Sequence, residues 1–209
     1  MPCLMRSWHA RAGMESHLRQ GLVRAHEEFF ARDTRGLESA LYREHLEGRH
    51  FLGRAIYDDE TALGGATRNA LLAAFAELET AYTDQPVASL RVTTVSEFVS
   101  IGRPVMSGMA ALLRGAPASA ADLEACLTTI ARQLIDTVAP SRVLLGHTDD
   151  DPGLVVFICD TRDQVDLPRY MASPTHADHL RALAPFLVGR PLWFSLDPTW
   201  RYFRGRQQR

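Results

Sequence analysis

Eight histidines are spread along this 209-residue chain. Histidine is the side chain whose charge changes nearest neutral pH, so it is the first place to look for proton transfer. His176 and His179 stand three apart in Ser173-Pro174-Thr175-His176-Ala177-Asp178-His179. That spacing places both on one side of a helix, as a candidate general base or acid. His147 ends a strand-like run just before Asp149-Asp150-Asp151, and is a third candidate for catalysis or for simple pairing with Asp149. The candidates for binding are mostly aromatic. Trp8 and Trp193 can stack on a planar molecule, and the hydroxyls of Tyr57, Tyr170 and Tyr42 can hold one of its oxygens. His50 joins them, but it lies seven residues from Tyr57 in one strand-like run. Strict alternation puts the two on opposite faces, so one of them at most faces a pocket.

Composition narrows the chemistry. All 23 basic residues are arginine, which excludes a lysine Schiff base. Cys3, Cys126 and Cys159 are far apart with no CxxC pair, and no histidines show an HExxH-type spacing. Neither a metal site nor a disulfide framework is expected, and a reducing, cytoplasmic setting fits. A net charge of −2 gives no reason to expect nucleic acid or an acidic membrane surface as partner. No apolar run is long enough for a signal peptide or a membrane span.

The elements that must position these residues occur twice. In the first half, a short apolar run from Cys3 to Trp8 precedes a helix from Met14 to Phe30, with Met14, Leu18, Leu22, Ala25 and Phe29 on one face. Asp33-Thr34-Arg35-Gly36 stops it. Two runs, 37–45 and 50–57, read as a hairpin, with Leu37, Ser39 and Leu41 alternating with Glu38, Ala40 and Tyr42. Asp58-Asp59-Glu60-Thr61 offers a cap for a helix over 62–82, with Leu63, Leu71, Phe75 and Leu78 inward and Gly64-Gly65 weakening its first turn. A strand over 87–99 closes the half. The second half repeats the order: a strand over 105–113, a helix capped by Ser119 and running to Val138, strands over 141–147 and 154–159, a helical stretch over 164–187 broken at Pro168 and Pro174, and a strand over 191–196 before an Arg-rich tail. The all-apolar run from Leu154 reads as a strand buried on both faces.

Strand–helix–hairpin–helix–strand is the ferredoxin-like split βαβ. The expected fold is therefore α+β, with two tandem ferredoxin-like βαββαβ units, 1–100 and 101–209. Each antiparallel sheet carries helices on one face only and leaves the other to be covered, so the sheets are expected to pack as a pseudo-dimeric α+β barrel. Association of two chains as a homodimer stays open.

The second half also carries a motif. Asp149-Asp150-Asp151-Pro152-Gly153-Leu154-Val155-Val156-Phe157, followed by Tyr170-Met171-Ala172-Ser173-Pro174-Thr175-His176-Ala177-Asp178-His179-Leu180, resembles the antibiotic biosynthesis monooxygenase family, with an acidic DPG turn and then H/Y-x-x-S-P-x-H. The resemblance covers about 105–200. The first half follows it by element order and through Arg6-x-Trp8 and Tyr57-Asp58-Asp59. One departure stands out: the family's Glu-x-Trp falls on Cys159-Asp160-Thr161, and the matching strand of the first half ends in Tyr57.

The resemblance implies a cofactor-independent oxygenase of secondary metabolism, with molecular oxygen as co-substrate. Its substrate would be a polycyclic aromatic polyketide, taken from anthrone to quinone or to a hydroxylated product. His176, His179 and His147 are then the expected acid/base residues, and Trp8, Tyr57, His50, Tyr170 and Trp193 the substrate contacts. Because the second half carries more of the motif, the working cavity is expected there. A polyketide cyclase or isomerase in the same pocket, a non-catalytic ligand-binding protein, and haem chemistry through a histidine ligand are the competing readings.

Overall fold

The computed structural model describes residues 2–32, 36–45, 48–57, 66–99, 105–151 and 153–203. The elements come in the doubled order: β1 (Pro2–His9), α1 (Glu15–Arg32), β2 (Gly36–Glu44), β3 (His50–Tyr57), α2 (Ala66–Tyr82) and β4 (Ala88–Val99), then β5 (Ser107–Arg114), α3 (Ala120–Val138), β6 (Arg142–Thr148), β7 (Leu154–Thr161), α4 (Asp166–Met171), α5 (Pro174–Leu183) and β8 (Leu192–Phe203). Among the described residues no helix is long and apolar enough to cross a membrane. The expected helix stop at Asp33-Thr34-Arg35, the cap at Asp58 to Thr61, Leu63, Gly64-Gly65 and Pro152 lie outside the described residues.

Two compact units form, Met1–Arg91 with Asp197–Arg209, and Val92–Leu196. The sequence halves divide at 100/101, whereas these units divide within β4 and again within β8. Both strands are 12 residues long, more than one unit's sheet needs. From Val92 onward β4 pairs with β6 in the second unit. β8 gives Leu192–Leu196 to β5 and continues as part of the first unit. The strand therefore does not fray after Leu196, because Trp200 packs in the first unit's core and Arg201 reaches Glu38 at 3.6 Å. In the first unit the strand order is β1-β3-β2-β8, and in the second β8-β5-β7-β6-β4.

Local chemistry explains the breaks. Ser173 sits in extended backbone with its Oγ accepting from the His176 amide at 3.2 Å, and Pro174 follows at the first helical position. The Ser-Pro-x-His motif is thus an N-cap. Ser119 makes no such bond, since its backbone is not extended and a short 3₁₀ turn (Pro117–Ser119) leads into α3 instead. Pro168 lies inside α4, in the first turn, where a missing N–H leaves no bond unmade. The break falls at Ala172-Ser173.

Each unit buries an apolar layer between sheet and helices. In the second, Leu123, Leu127, Ile130 and Leu134 of α3 meet Met109, Leu113, Phe157 and Cys159. In the first, Leu18, Leu22 and Phe29 of α1 and Phe75 of α2 meet Trp8, Leu41, Phe51 and Tyr57. Fully burying each large side chain contributes about 1.5–3 kcal/mol. β7 is buried along nearly its whole length, as its apolar run implies. The other sheet faces carry buried ion pairs: Arg54 with Glu38 at 2.8 Å in the first unit, and Arg142 with Glu97 in the second.

Candidate functional site

Alternation along β1 turns Leu4, Arg6 and Trp8 toward the helices, and along β3 it turns Gly53, Ala55 and Tyr57 the same way. With His26 of α1 and Phe75 of α2 they enclose a cavity in the first unit, with room for about one water-sized molecule. Gly53 makes this arrangement possible. A Cβ there would stand 2.8 Å from two atoms of the Trp8 ring, so the indole lies flat against bare backbone.

His26 is buried and polar within that wall, at 3% exposure. Its Nδ1 lies 2.7 Å from the carbonyl oxygen of Leu22, one helical turn back. A carbonyl only accepts, so Nδ1 carries the proton and Nε2 presents a lone pair. Burial pushes its pKa down to about 4, against a smaller upward push from the Leu22 carbonyl. His26 is therefore neutral at neutral pH, with its basic nitrogen on the cavity side. Phe75 and Trp200 pack against the ring, with centroids 5.2 Å and 5.5 Å away.

Arg6 and Trp8 share one anchor. Glu79 Oε1 accepts from Arg6 Nη2 at 2.7 Å and from Trp8 Nε1 at 2.9 Å. The guanidinium carbon sits 5.4 Å from the Phe75 centroid and 5.9 Å from that of Trp8. Arg6 Nε is buried and meets no acceptor among the described residues. The cavity is thus walled largely by rings, with Arg6 and His26 among its polar lining.

The second unit, where the working space is expected, is built differently at the equivalent place. Where the first strand of the first unit carries Arg6 and Trp8, β5 carries Met109, Ala111 and Leu113, and these side chains fill the space with α3. Its polar residues form a closed cluster instead. His179 Nδ1 accepts from the Tyr170 hydroxyl at 2.8 Å, and its Nε2–H donates to Gln133 Oε1 at 2.6 Å. Burial lowers the His179 pKa, and His176 adds to the effect. Burial also raises the Tyr170 pKa, and Cys159 adds to it. The cluster ties α5 to α3 and α4.

The other sequence candidates are placed as follows. His176 Nδ1–H donates to the Met171 carbonyl at 3.0 Å, and its Nε2 is buried without a partner among the described residues. Its ring stands edge-on to Tyr170 and Trp193, with centroids 5.0 Å and 5.8 Å away. His147 is half-buried on β6, opposite Thr93 and Val155, while Asp149 accepts from Thr93 rather than from His147. His50 hydrogen-bonds Ser7, and Tyr57 alone of that pair lines the cavity, as strand alternation requires. Tyr42 is buried beneath the Arg54 guanidinium. Cys159 is a core residue whose thiol is pushed up to about 12 by burial. Of the expected site residues, then, Trp8 and Tyr57 come together at one cavity, and Tyr170, His176, His179 and Trp193 gather in the second unit. His50 and His147 join neither group.

Sequence reasoning missed His26, Gly53, Phe75 and Glu79 as a set, and quoted Arg6 only as part of a motif. A signal existed for His26. It falls four residues after Leu22 and eight after Leu18, on the apolar stripe of α1. A polar residue on a buried stripe needs a partner or a purpose.

No family model matches this chain, and no curated protein does. Solved structures do. A candidate monooxygenase from Fusobacterium nucleatum superposes with TM-score 0.81 at 10% identity, over 98% of this chain and 95% of that one. An anthrone oxidase-like protein gives 0.75 at 9%, over 99% and 94%. An uncharacterised ferredoxin-fold protein from Listeria monocytogenes, related to antibiotic biosynthesis monooxygenases, gives 0.56 at 11%, over 95% and 94%. At such identities the likeness is one of fold. The chain has the α+β, ferredoxin-like fold of these proteins, in tandem, as its second-half motif implies.

Proposed function

We propose that this protein is a cofactor-independent oxygenase-type enzyme that oxidises a polycyclic aromatic polyketide of the anthrone class in its first unit, at the wall of rings around His26. The observation that carries the reading is His26, a neutral buried base whose free nitrogen borders a ring-walled cavity. The fold adds support, because two of its structural neighbours are named for monooxygenase or anthrone oxidase chemistry.

The chemistry draws its electrons from the substrate. His26 Nε2 takes one proton from the methylene carbon of the anthrone, leaving a carbanion conjugated to the ring oxygen. Arg6 stabilises the negative charge on that oxygen. The carbanion reduces dioxygen and forms a carbon-bound peroxide anion, which takes the proton back from His26 to become a hydroperoxide. Loss of the second methylene proton, with cleavage of the O–O bond, releases water and leaves the quinone carbonyl. One oxygen atom ends in product and one in water. The cavity as it stands holds about one water, so the ring enters only where the Trp8 and Phe75 rings part beside Arg6 and Glu79, whose side chains are 14% and 19% exposed.

A second seat for the base is His176, and the observation favouring it is its buried Nε2, without a partner among the described residues and beside Tyr170 and Trp193. His179 and His147 belong to that reading as supporting residues. A cyclase or isomerase would use the same proton transfers without oxygen, and a binding protein would use neither. Oxygen uptake with anthrone separates these. The oxygenase consumes one dioxygen per anthraquinone formed, whereas binding of anthrone with no uptake removes the oxygenase reading.

A further inference from the structure

We infer that α2 is a lid over the first unit's wall of rings, hinged at its C-terminal end and latched by Glu79, and that it swings to let a ring reach His26. This rests on the reading of that wall as the substrate site, and it goes further by naming the element that admits the substrate. The lid is lightly held. α2 is 17 residues long, yet among its described side chains only Leu71 and Phe75 are buried hydrophobics. In α3, a helix of 19 residues, six are buried between Leu123 and Val138. An element with little buried apolar surface is the part of a fold that opens at least cost.

The hinge and the latch are separate sets of bonds. Arg11, between β1 and α1, grips the end of α2. Its amide donates to the Tyr82 carbonyl at 2.8 Å, its Nε–H to that of Thr83 at 2.8 Å and its Nη2 to that of Thr80 at 3.1 Å. Next along the helix, Glu79 Oε1 accepts from Arg6 Nη2 and from the Trp8 indole of β1. One turn further, Phe75 stands edge-on to Trp8, with centroids 5.2 Å apart. At about 1.5 Å per residue, Phe75 lies about 10 Å from Tyr82 and Glu79 about 4.5 Å. A swing that parts Phe75 from Trp8 by the roughly 4 Å that an inserted ring needs therefore carries Glu79 by about 2 Å. Neither of its hydrogen bonds survives such a stretch. The Trp8 N–H is thus freed as the rings part. The indole lies on the bare backbone of Gly53, and its Nε1 end is fixed by Glu79.

The reporter is hydrogen exchange of the Trp8 Nε1–H, read by nuclear magnetic resonance and assigned by its loss in Trp8→Phe. A lid that swings without unfolding gives wild-type exchange whose rate hardly changes with urea well below the unfolding transition. Exchange only through global unfolding, with its full urea dependence, overturns the lid. Glu79→Gln removes the charge from the latch and is expected to speed the urea-independent exchange about tenfold or more. Leu71→Ala loosens the lid about two turns from the latch and is expected to speed it likewise, which a flip of the indole alone would not show. A folded Glu79→Gln with wild-type exchange overturns the latch, and a folded Leu71→Ala with wild-type exchange overturns the lid. The wild-type urea dependence decides if neither variant folds. Oxygen uptake with anthrone alongside exchange only by global unfolding would retire the lid alone. Local exchange without uptake would retire the oxygenase reading alone.

Discussion

The Nδ1–H of His26 donates to the carbonyl of Leu22, one turn earlier in α1, at 2.7 Å. That single bond decides which nitrogen of a buried imidazole is free. It also couples His26 to the stability of the unit. The folded pKa is depressed to about 4 from an ordinary value of 6.5, so between those values the unfolded chain binds more protons than the folded one. The stabilisation is fully present above 6.5 and is lost as pH falls toward 4, by roughly 3 kcal/mol in all. Urea unfolding at about pH 7.5 and about pH 4.5 should show a larger acid loss for wild type than for His26→Phe. Parallel pH dependence of the two proteins would exclude a buried neutral His26.

Gly53 is the floor beneath Trp8. In Gly53→Ala the new Cβ meets the indole at 2.8 Å, and the ring, held at its Nε1 by Glu79, has little freedom to yield. The expected cost is about 1–3 kcal/mol, as for other overpacked cores, together with a shifted tryptophan emission. An unchanged unfolding midpoint and emission would mean that the ring does not lie there.

His179 acts as a clamp between helices. His179→Ala leaves the Tyr170 hydroxyl and the Gln133 carbonyl oxygen without their partner, at an expected cost of about 1–3 kcal/mol. If catalysis resides in the first unit, oxygen uptake by the folded variant stays near wild type below its melting temperature. A loss of uptake without a loss of stability would transfer the base to the second unit.

The ion pair of Arg54 and Glu38 is nearly free of solvent, at 0% and 1% exposure. Arg54→Met takes from the Glu38 carboxylate its partner at 2.8 Å, with Arg201 standing farther off at 3.6 Å. The expected loss is about 3–5 kcal/mol, measurable by urea unfolding, and the double variant Arg54→Met/Glu38→Leu should recover most of it. A single variant as stable as wild type would contradict the buried pair.

The doubled order of elements was legible because each element carries its own local signal. α1 and α3 show their apolar stripes, and β3 its bounds of His50 and Tyr57. The extension of β8 past Leu196 was not legible, since Asp197-Pro198 reads locally as an ending and only Trp200 and Arg201, through partners distant in sequence, show otherwise. The site was legible in part. Trp8 and Tyr57 were named from residue type, and alternation correctly separated Tyr57 from His50. The rest depends on long-range registry: Glu79 reaches Trp8 across 71 positions, and nothing local ties Gly53 to an indole. The motif-bearing second half drew attention away from His26. Its Ser-Pro-x-His sequence is explained by helix capping, which needs no substrate.

The central claim is that the first unit's cavity, with His26 as its base, carries the reaction. The direct measurement is the initial rate of oxygen uptake with anthrone by His26→Gln compared with wild type and with His176→Ala, each shown to be folded. The account predicts a fall of at least about 100-fold in His26→Gln, the usual size of a lost general base, with His176→Ala close to wild type. Unchanged uptake in His26→Gln, or a collapse in His176→Ala instead, would contradict it.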